Sequence, residues 1–289
     1  MNDIIVVTGA PGNVGTPVVR ELVARGAPVR VAAFNLPSAQ AALGPAVEIV
    51  EFDFLRPETY AAAFAGATKL FLVRPPQLAD VPRQIGPAVA AAVQAGVKQI
   101  VFLSLQGVEQ NRITPHYKIE QLIRSLPVQF TFLRASFFMQ NLSTTHRAEI
   151  RDRRELDVPV GKARTSFVDT GDIGAVAATV LTQPGHENAV YTLTGSEALT
   201  YGEVATVLSR ALGQTVRYRN PTVVGFFVRQ VRGGRPLGMA AVMAGLYTIT
   251  RFGNAASVTE DVQQVLGRPP VTLAEFANAQ RSVWLASAS

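Results

Sequence analysis

The sequence predicts an α/β fold: a Rossmann-type, doubly wound parallel sheet followed by a smaller, mainly helical C-terminal lobe. Three observations predict it. Short β-branched runs alternate with helical periodicities from the start of the chain, a glycine-spaced turn follows the first of those runs, and beyond about residue 195 helical patterns replace strands. The expected division is a first domain over 1–195 and a substrate-side lobe over 196–289, with some exchange of chain between them.

Ile4 to Val7 is an unbroken β-branched run ended by Gly9, the pattern of a buried strand. Val14, Val18, Val19, Leu22 and Val23 then recur at helical spacing until Gly26, and Val29 to Phe34 is apolar again, which completes a βαβ unit. Further strands are expected near Val47 to Val50, Lys69 to Val73, Gln99 to Ser104 and Val128 to Leu133. Helices are expected at Pro57 to Phe64, Val81 to Ala95 and Thr114 to Arg124, the last ending before Pro127. After Asn141 the rhythm loosens, leading past Asp169 and Asp172 to a helix at Ile173 to Leu181 and a last sheet strand at Val190 to Leu193. Beyond Thr200 the expected helices are Tyr201 to Ala211, Leu237 to Tyr247, Val258 to Leu266 and Thr272 to Val283.

Composition narrows the class. At 48% hydrophobic and 17% charged residues, the 289-residue chain has ample apolar surface for a core, which excludes a disordered protein. The absence of cysteine removes disulfides, thiolate nucleophiles and cysteine zinc sites, and three scattered histidines argue against any metal site. Without a basic n-region and apolar h-region at its start, the chain is expected to be cytoplasmic. No stretch reaches the ~18 apolar residues of a spanning helix, because Arg229, Arg232 and Arg235 break the most apolar region, so stable membrane insertion is not expected. The net charge of +6 admits anionic small molecules, nucleic acid and acidic lipid surfaces alike. From Val204 to Thr259 there is no acidic residue but seven arginines (Arg210, Arg217, Arg219, Arg229, Arg232, Arg235 and Arg251), interleaved with Phe226, Phe227 and Tyr247. A solvated face with an apolar underside is the default for this stretch; an anionic cleft and a membrane-surface helix stay open, whereas no nucleic-acid partner is expected, since no recognition motif accompanies it.

The turn after the first strand reads Thr8-Gly9-Ala10-Pro11-Gly12-Asn13-Val14-Gly15. Gly9 permits a tight turn, Gly12 lets backbone N–H groups approach a pyrophosphate, and Gly15 lets helix and strand pack closely, while the helix N-terminus supplies an anion site. Thr8, Pro11, Asn13 and Val14 are therefore expected beside the glycines at a dinucleotide. Cofactor choice falls at the end of the second strand, here Ala33-Phe34-Asn35-Leu36, which places Phe34 and Asn35 at the adenosine ribose. No carboxylate stands there to repel a 2′-phosphate, so NADP(H) is favoured over NAD(H), although no Arg or Lys follows and Arg30 comes too early in the strand. Asp53 fits either a contact to the adenine amino group or a cap of the helix beginning at Pro57.

Several segments together resemble the NmrA-like branch of the atypical short-chain dehydrogenase/reductases, which includes bacterial quinone and triphenylmethane dye reductases. They are the glycine turn, F-L-V-R-P-P at Phe71 to Pro76, V-F-L-S at Val101 to Ser104, H-Y-K-I-E at His116 to Glu120, and F-L-R-A-S-F-F-M-Q-N at Phe132 to Asn141. S-F-V-D-T-G-D-I at Ser166 to Ile173 and G-R-P-P from Gly267 complete the resemblance, which spans nearly the whole chain. It implies an NAD(P)-binding Rossmann lobe and reduction of a flat conjugated molecule such as a quinone, by hydride from the nicotinamide. It also implies an alternative, since some relatives bind the dinucleotide as redox-responsive regulators.

The chain departs from the wider superfamily's Tyr-x-x-x-Lys pair, because Tyr117 is followed four residues later by Gln121. The resemblance instead directs attention to His116, where relatives carry His or Lys, as a proton donor titrating between roughly pH 5 and 8. Glu120, one helical turn on, is expected to orient or charge its imidazole. Arg74, Pro75 and Ser104 are expected to border the dinucleotide. Gln106, Phe137, Phe138 and Asn141 are expected to line an aromatic or quinone-like substrate, with core packing equally open to each phenylalanine. A homodimer is compatible with all of this.

Overall fold

A computed structural model of the chain describes residues 3–285. In chain order its first elements are β1 (Ile4–Thr8), α1 (Gly15–Ala24), β2 (Val29–Ala33), α2 (Leu36–Leu43), β3 (Glu48–Glu51), α3 (Tyr60–Phe64) and β4 (Ala67–Leu72). There follow α4 (Gly86–Gln94), β5 (Gln99–Leu105), α5 (Pro115–Arg124), β6 (Gln129–Ala135), β7 (Phe137–Phe138), α6 (Gln140–Ser143), β8 (Glu155–Asp157), β9 (Arg164–Val168), α7 (Thr170–Thr182) and β10 (Ala189–Leu193). The remainder is β11 (Ala198–Thr200), α8 (Tyr201–Leu212), β12 (Arg217–Arg219), α9 (Val223–Arg232), α10 (Leu237–Arg251), α11 (Asp261–Leu266), α12 (Leu273–Ala279) and α13 (Arg281–Trp284).

Packing divides the chain into two units. The first holds Met1–Ala135, Thr170–Leu193 and Asp261–Arg268; the second holds Ser136–Asp169, Thr194–Glu260 and Pro269–Ser289. The sequence reading cuts once, after residue 195, whereas by packing the second unit also takes 136–169 and the first also takes 261–268.

The first unit is the expected α/β fold. Its sheet has seven strands in the order β10-β6-β5-β4-β1-β2-β3, every pairing parallel. All seven carboxyl ends therefore share one edge. The order reverses between β1 and β4, the topological switch point at which such sheets bind ligands. Val6, Val7, Leu70, Phe71, Val101 and Phe102 are completely or almost completely buried, as central strands covered on both faces must be. At α7, a Cβ on Gly174 would come within 2.7 Å of Pro17 Cβ, so this glycine sets how closely α7 lies on α1.

The second unit contains two small sheets, β11-β9-β7 and β12-β8, and a core closed by α8, α10 and α12. Trp284 is wholly buried there, its indole N–H donating to the Leu142 carbonyl at 2.9 Å. Thr200 and Thr272 each form a reciprocal capping box, with Glu203 and Glu275, which fixes where α8 and α12 begin.

Sequence reading missed α2, α9 and the small sheets. α2 buries only Ala39, so it has no apolar stripe to read, although Asn35 as N-cap followed by Pro37 was a usable start signal. Strands of two to five residues, such as β7 and β11, are too short to show an alternation. The helix expected from Val258 starts at Asp261, because the Thr259 N–H is instead taken by the Thr194 hydroxyl at 3.0 Å.

Candidate active site

Every residue predicted at the cofactor lies in the first unit, at or just beyond the carboxyl ends of its strands, with Thr8 and Ser104 inside β1 and β5 and Gly15 opening α1. The glycine turn leaves β1, Phe34 and Asn35 leave β2, Asp53 follows β3, and Arg74 and Pro75 follow β4. The turn is held by its own crowding. A Cβ on Gly12 would lie 2.5 Å from the Gly9 carbonyl oxygen, and one on Gly15 would fall on that same carbonyl. Gly9 has φ +78°, and a Cβ there would also meet Val73 Cβ at 2.7 Å, so the two loops flanking the switch point touch. Thr8 ties them further: its buried hydroxyl donates to the Phe71 carbonyl at 3.1 Å and accepts from the Val73 N–H at 2.8 Å.

Pro11, Gly12 and Asn13 are exposed at the rim, and Val14 and Gly15 are buried beneath it. The first-turn N–H groups of α1 have no side-chain cap, and no carboxylate sits in that turn. Within that turn the Thr16 N–H donates to the Gly12 carbonyl at 3.2 Å and Pro17 has no N–H, so the donors left to an anion come from the backbone just ahead of them, at the positive end of the helix dipole. This donor set fits a pyrophosphate.

The ribose side is less specific. Phe34 is exposed, and Asn35 uses its side-chain oxygen to accept from the Ser38 N–H at 2.9 Å as the cap of α2. Arg30 is withdrawn altogether: its guanidinium bonds Glu48 at 2.8 Å and the carbonyls of Ala63 and Ala65 at 3.4 and 2.6 Å. Asp53 closes its own turn, accepting from the Leu55 N–H at 2.9 Å while its backbone N–H donates to Thr59 Oγ at 3.1 Å. It does not cap the helix at Pro57, whose N-cap is Arg56 with no side-chain hydrogen bond.

Beyond the turn, the geometry corrects one pairing. Glu120 does not serve His116. Its carboxylate is almost fully buried, accepting from Ser104 Oγ at 2.6 Å and from Arg134 through Nε at 3.1 Å and Nη2 at 2.8 Å. Arg134 in turn reaches Glu109 at 2.8 Å, so one network locks β5, β6 and α5 together. The hydroxyl of Ser104, expected at the dinucleotide, is spent inside that network. Arg134 went unassigned in the sequence reading, yet a lone arginine in the apolar strand Phe130 to Ala135 was a legible sign of a buried partner.

His116 is half-buried and stacks on Phe102, with ring centroids 5.9 Å apart and planes at 26°. Burial and the nearby Arg74 guanidinium push its imidazole down to about 3. It is therefore neutral across the pH range in which an ordinary imidazole titrates. Arg74 donates through Nη1 to the Pro75 and Leu78 carbonyls at 2.9 and 3.0 Å, which shapes the loop after β4. Its Nε is buried with no acceptor, and desolvation lowers its pKa. A cation with an unused donor beside a neutral imidazole is arranged to receive an electron-rich group.

Of the predicted substrate residues, Gln106 belongs to the first unit, where its N–H bonds the Ala135 carbonyl at 3.0 Å. Phe137, Phe138 and Asn141 belong to the second. Phe137 and Phe138 pair with Phe167 and Val168 as β7, and the Phe137 ring stacks on Tyr247 at 6.3 Å, so Phe137 is at least partly core. Asn141 is half-buried, and its carbonyl accepts from the His146 N–H at 2.9 Å.

Known proteins resemble the chain over nearly its whole length. Residues 1–277 match the NmrA-like family. The chain is 33% identical to an NAD(P)H azoreductase of Xenophilus azovorans over 97% of its own length and 99% of the relative's. Among solved structures it resembles the Citrobacter sp. triphenylmethane reductase complexed with NADP(H), with a TM-score of 0.83 and 27% identity over 96% of this chain and 99% of that one. It also resembles an NADPH-dependent quinone oxidoreductase from Escherichia coli, with a TM-score of 0.83 and 25% identity over 95% and 98% of the two chains.

Proposed function

The chain belongs to the NmrA-like family and is a nicotinamide-dependent oxidoreductase, and we propose that its acceptor is a flat, conjugated small molecule such as a quinone or a dye. The observation that carries this is the junction at the switch point, where an uncapped, carboxylate-free helix N-terminus adjoins the Arg74 loop and the neutral His116 behind it. When bound, the dinucleotide supplies the hydride.

The chain's own residues do the rest. The glycine turn binds the pyrophosphate through backbone donors, and its internal contacts with Gly9 keep those donors in place before binding. Arg74 Nε, without an internal acceptor, offers a hydrogen bond to an electron-rich oxygen or nitrogen of the acceptor. A quinone reduced by hydride takes its proton from water or from a neighbouring group, and the His116 imidazole is uncharged and able to relay that proton rather than hold it. The Ser104–Glu120–Arg134 network holds β5, β6 and α5 together, fixing the segment on which His116 is mounted. The absence of a carboxylate at Phe34 and Asn35 favours NADPH over NADH.

The test is turnover of a panel of quinones and dyes by the purified protein with NADPH, beside calorimetry of dinucleotide binding to wild type and Gly12→Val. The expected result is turnover of at least one acceptor, and loss of dinucleotide binding in the variant, whose Cβ would displace the Gly9 carbonyl. Equal binding by both proteins would refute the phosphate turn. Bound dinucleotide without turnover of any acceptor would favour a regulatory, dinucleotide-sensing role.

A further inference from the structure

α9 and α10 pack against each other as a hairpin in the second unit, and α10 has two apolar faces. Ala240, Met243, Ala244, Tyr247 and Thr250 are buried, and Met243, Ala244 and Tyr247 belong to the core of that unit. On the opposite side, Leu237, Gly238, Ala241, Val242, Gly245, Leu246 and Ile249 are all exposed, with Phe252 just beyond the end of the helix. Leu237 is 65% exposed, Val242 63% and Phe252 79%. By the ~100° turn per residue, this outer group occupies one side of the helix and contains no polar residue. A surface helix ordinarily turns charged and polar side chains outward, and one that is apolar all round is ordinarily covered. Val224 and Val228 on α9 are exposed as well.

Charge identifies what covers this face. Between Thr222 and Phe252 there are four arginines and no acidic residue. Arg229 is neutralised by Asp157, at 2.7 and 3.0 Å. The other three have no carboxylate partner among the described residues: Arg235 and Arg251 reach only the carbonyls of Thr145 and Pro159, and Arg232 is exposed at the end of α9. Arg232 and Arg235 stand before Leu237, and Arg251 stands beside Phe252. The outer stripe, about 22 Å long at ~1.5 Å per residue, is thus preceded by Arg232 and Arg235, whereas Arg251 falls on the Ala244 and Tyr247 side of α10 and reaches the Pro159 carbonyl. A second copy docked on this face would bring only its own arginines, and no acid on the hairpin to offset them. An acidic lipid surface offers both complements at once, an apolar layer below and phosphate charge above.

We infer that the α9–α10 hairpin is a peripheral membrane-docking surface selective for anionic phospholipid. α10 lies in the plane of the interface with its outer stripe among the upper acyl chains, while Arg232 and Arg235 meet the headgroups. It does not span the bilayer, for no helix of the described residues is long and apolar enough to cross one.

The experiment is vesicle flotation of the full-length protein, with phosphatidylcholine vesicles alone and with vesicles in which roughly a third of the lipid is phosphatidylglycerol. Binding to the anionic vesicles is expected to be at least ~10-fold tighter and to weaken as salt rises from ~0.1 to ~1 M. Leu246→Glu with Ile249→Glu is expected to return binding to background, and Arg232→Glu to reduce it by ~5-fold or more. Both leucine and isoleucine sites are exposed, so an unchanged circular-dichroism melt verifies folding. Ile113→Glu, at a still more exposed apolar residue of the first unit, should leave vesicle binding unaltered. Equal affinity for both vesicle types, no affinity for either, or an equal effect of Ile113→Glu would overturn the inference. So would sedimentation showing a dimer that the double variant dissociates without any vesicle binding in wild type, an outcome that assigns the face to a second copy.

Discussion

His116 and His146 occupy different units and opposite bonding states. His146 is buried with both ring nitrogens engaged, Nδ1 with Glu149 at 2.6 Å and Nε2 with the Tyr247 hydroxyl at 2.8 Å. Glu149 also accepts from the Asp157 N–H at 3.1 Å, and burial, with Glu149 nearby, raises the Tyr247 phenol so that it stays protonated. Nothing in this cluster is left to offer a ligand. His116 stacks on Phe102, beside a cation instead of a carboxylate, and no hydrogen bond engages its ring among the described residues. The difference separates structure from chemistry: buried polar groups that hold a fold are satisfied internally, whereas a half-buried imidazole with its bonding capacity unspent is available to a reacting molecule. Proximity of a glutamate at helical spacing is therefore a poor guide to which histidine does chemistry.

The largest effect is expected where a buried charge is orphaned. Glu120→Ala leaves Arg134 without its buried partner, and urea unfolding should show a loss of about 3 to 5 kcal/mol. A loss below ~1 kcal/mol would mean that the network beneath His116 is as dispensable as a surface pair. In the second unit, His146→Ala strands the Glu149 carboxylate and the Tyr247 hydroxyl and should cost about 1 to 3 kcal/mol of stability, with turnover at low temperature unchanged. Reduced turnover with unchanged stability would reverse the roles of the two histidines.

His116→Ala should behave oppositely. Dinucleotide affinity and stability should hold, and turnover should drop roughly tenfold, short of the ~10²- to 10⁴-fold loss of an obligatory general acid. Its acid response is smaller still at mild pH, and its sign is fixed. The folded imidazole resists protonation down to about 3, while an unfolded one takes a proton near ~6.5, so between those values the unfolded chain binds more protons. Stability contributed by the neutral imidazole is complete above that window and declines as pH falls through it, by at most ~1.4 kcal/mol per pH unit. His116→Phe should flatten the decline, and wild-type turnover should show no imidazole step between roughly pH 5 and 8. A clear step near ~6.5 that the variant abolishes would show His116 to be an ordinary titrating group. The smallest effect is cofactor preference: with Arg30 committed elsewhere and no acid at Phe34 or Asn35, NADPH should bind more tightly than NADH by less than ~10-fold.

Much of the first unit was legible because its signals are local. A strand, a glycine turn and a helix are contiguous, and Gly12 and Gly15 answer to the Gly9 carbonyl a few residues away, so the sequence alone determined the βα rhythm and the turn proposed to hold a dinucleotide. What only the tertiary structure decided was partnership at a distance. Glu120 faces Ser104 and Arg134, 16 and 14 residues away, rather than the histidine on its own helix face. Arg30 is claimed by Glu48 and two carbonyls of the 63–65 segment. α10 is apolar on both sides, so its periodicity could not say which side the core would take; that was decided when Met243 and Tyr247 packed into the second unit and left Val242 and Leu246 outside. Periodicity reports that a face is apolar, and spacing reports that two side chains share it, but a buried charge goes to whichever opposite charge or donor the fold brings within about 3 Å.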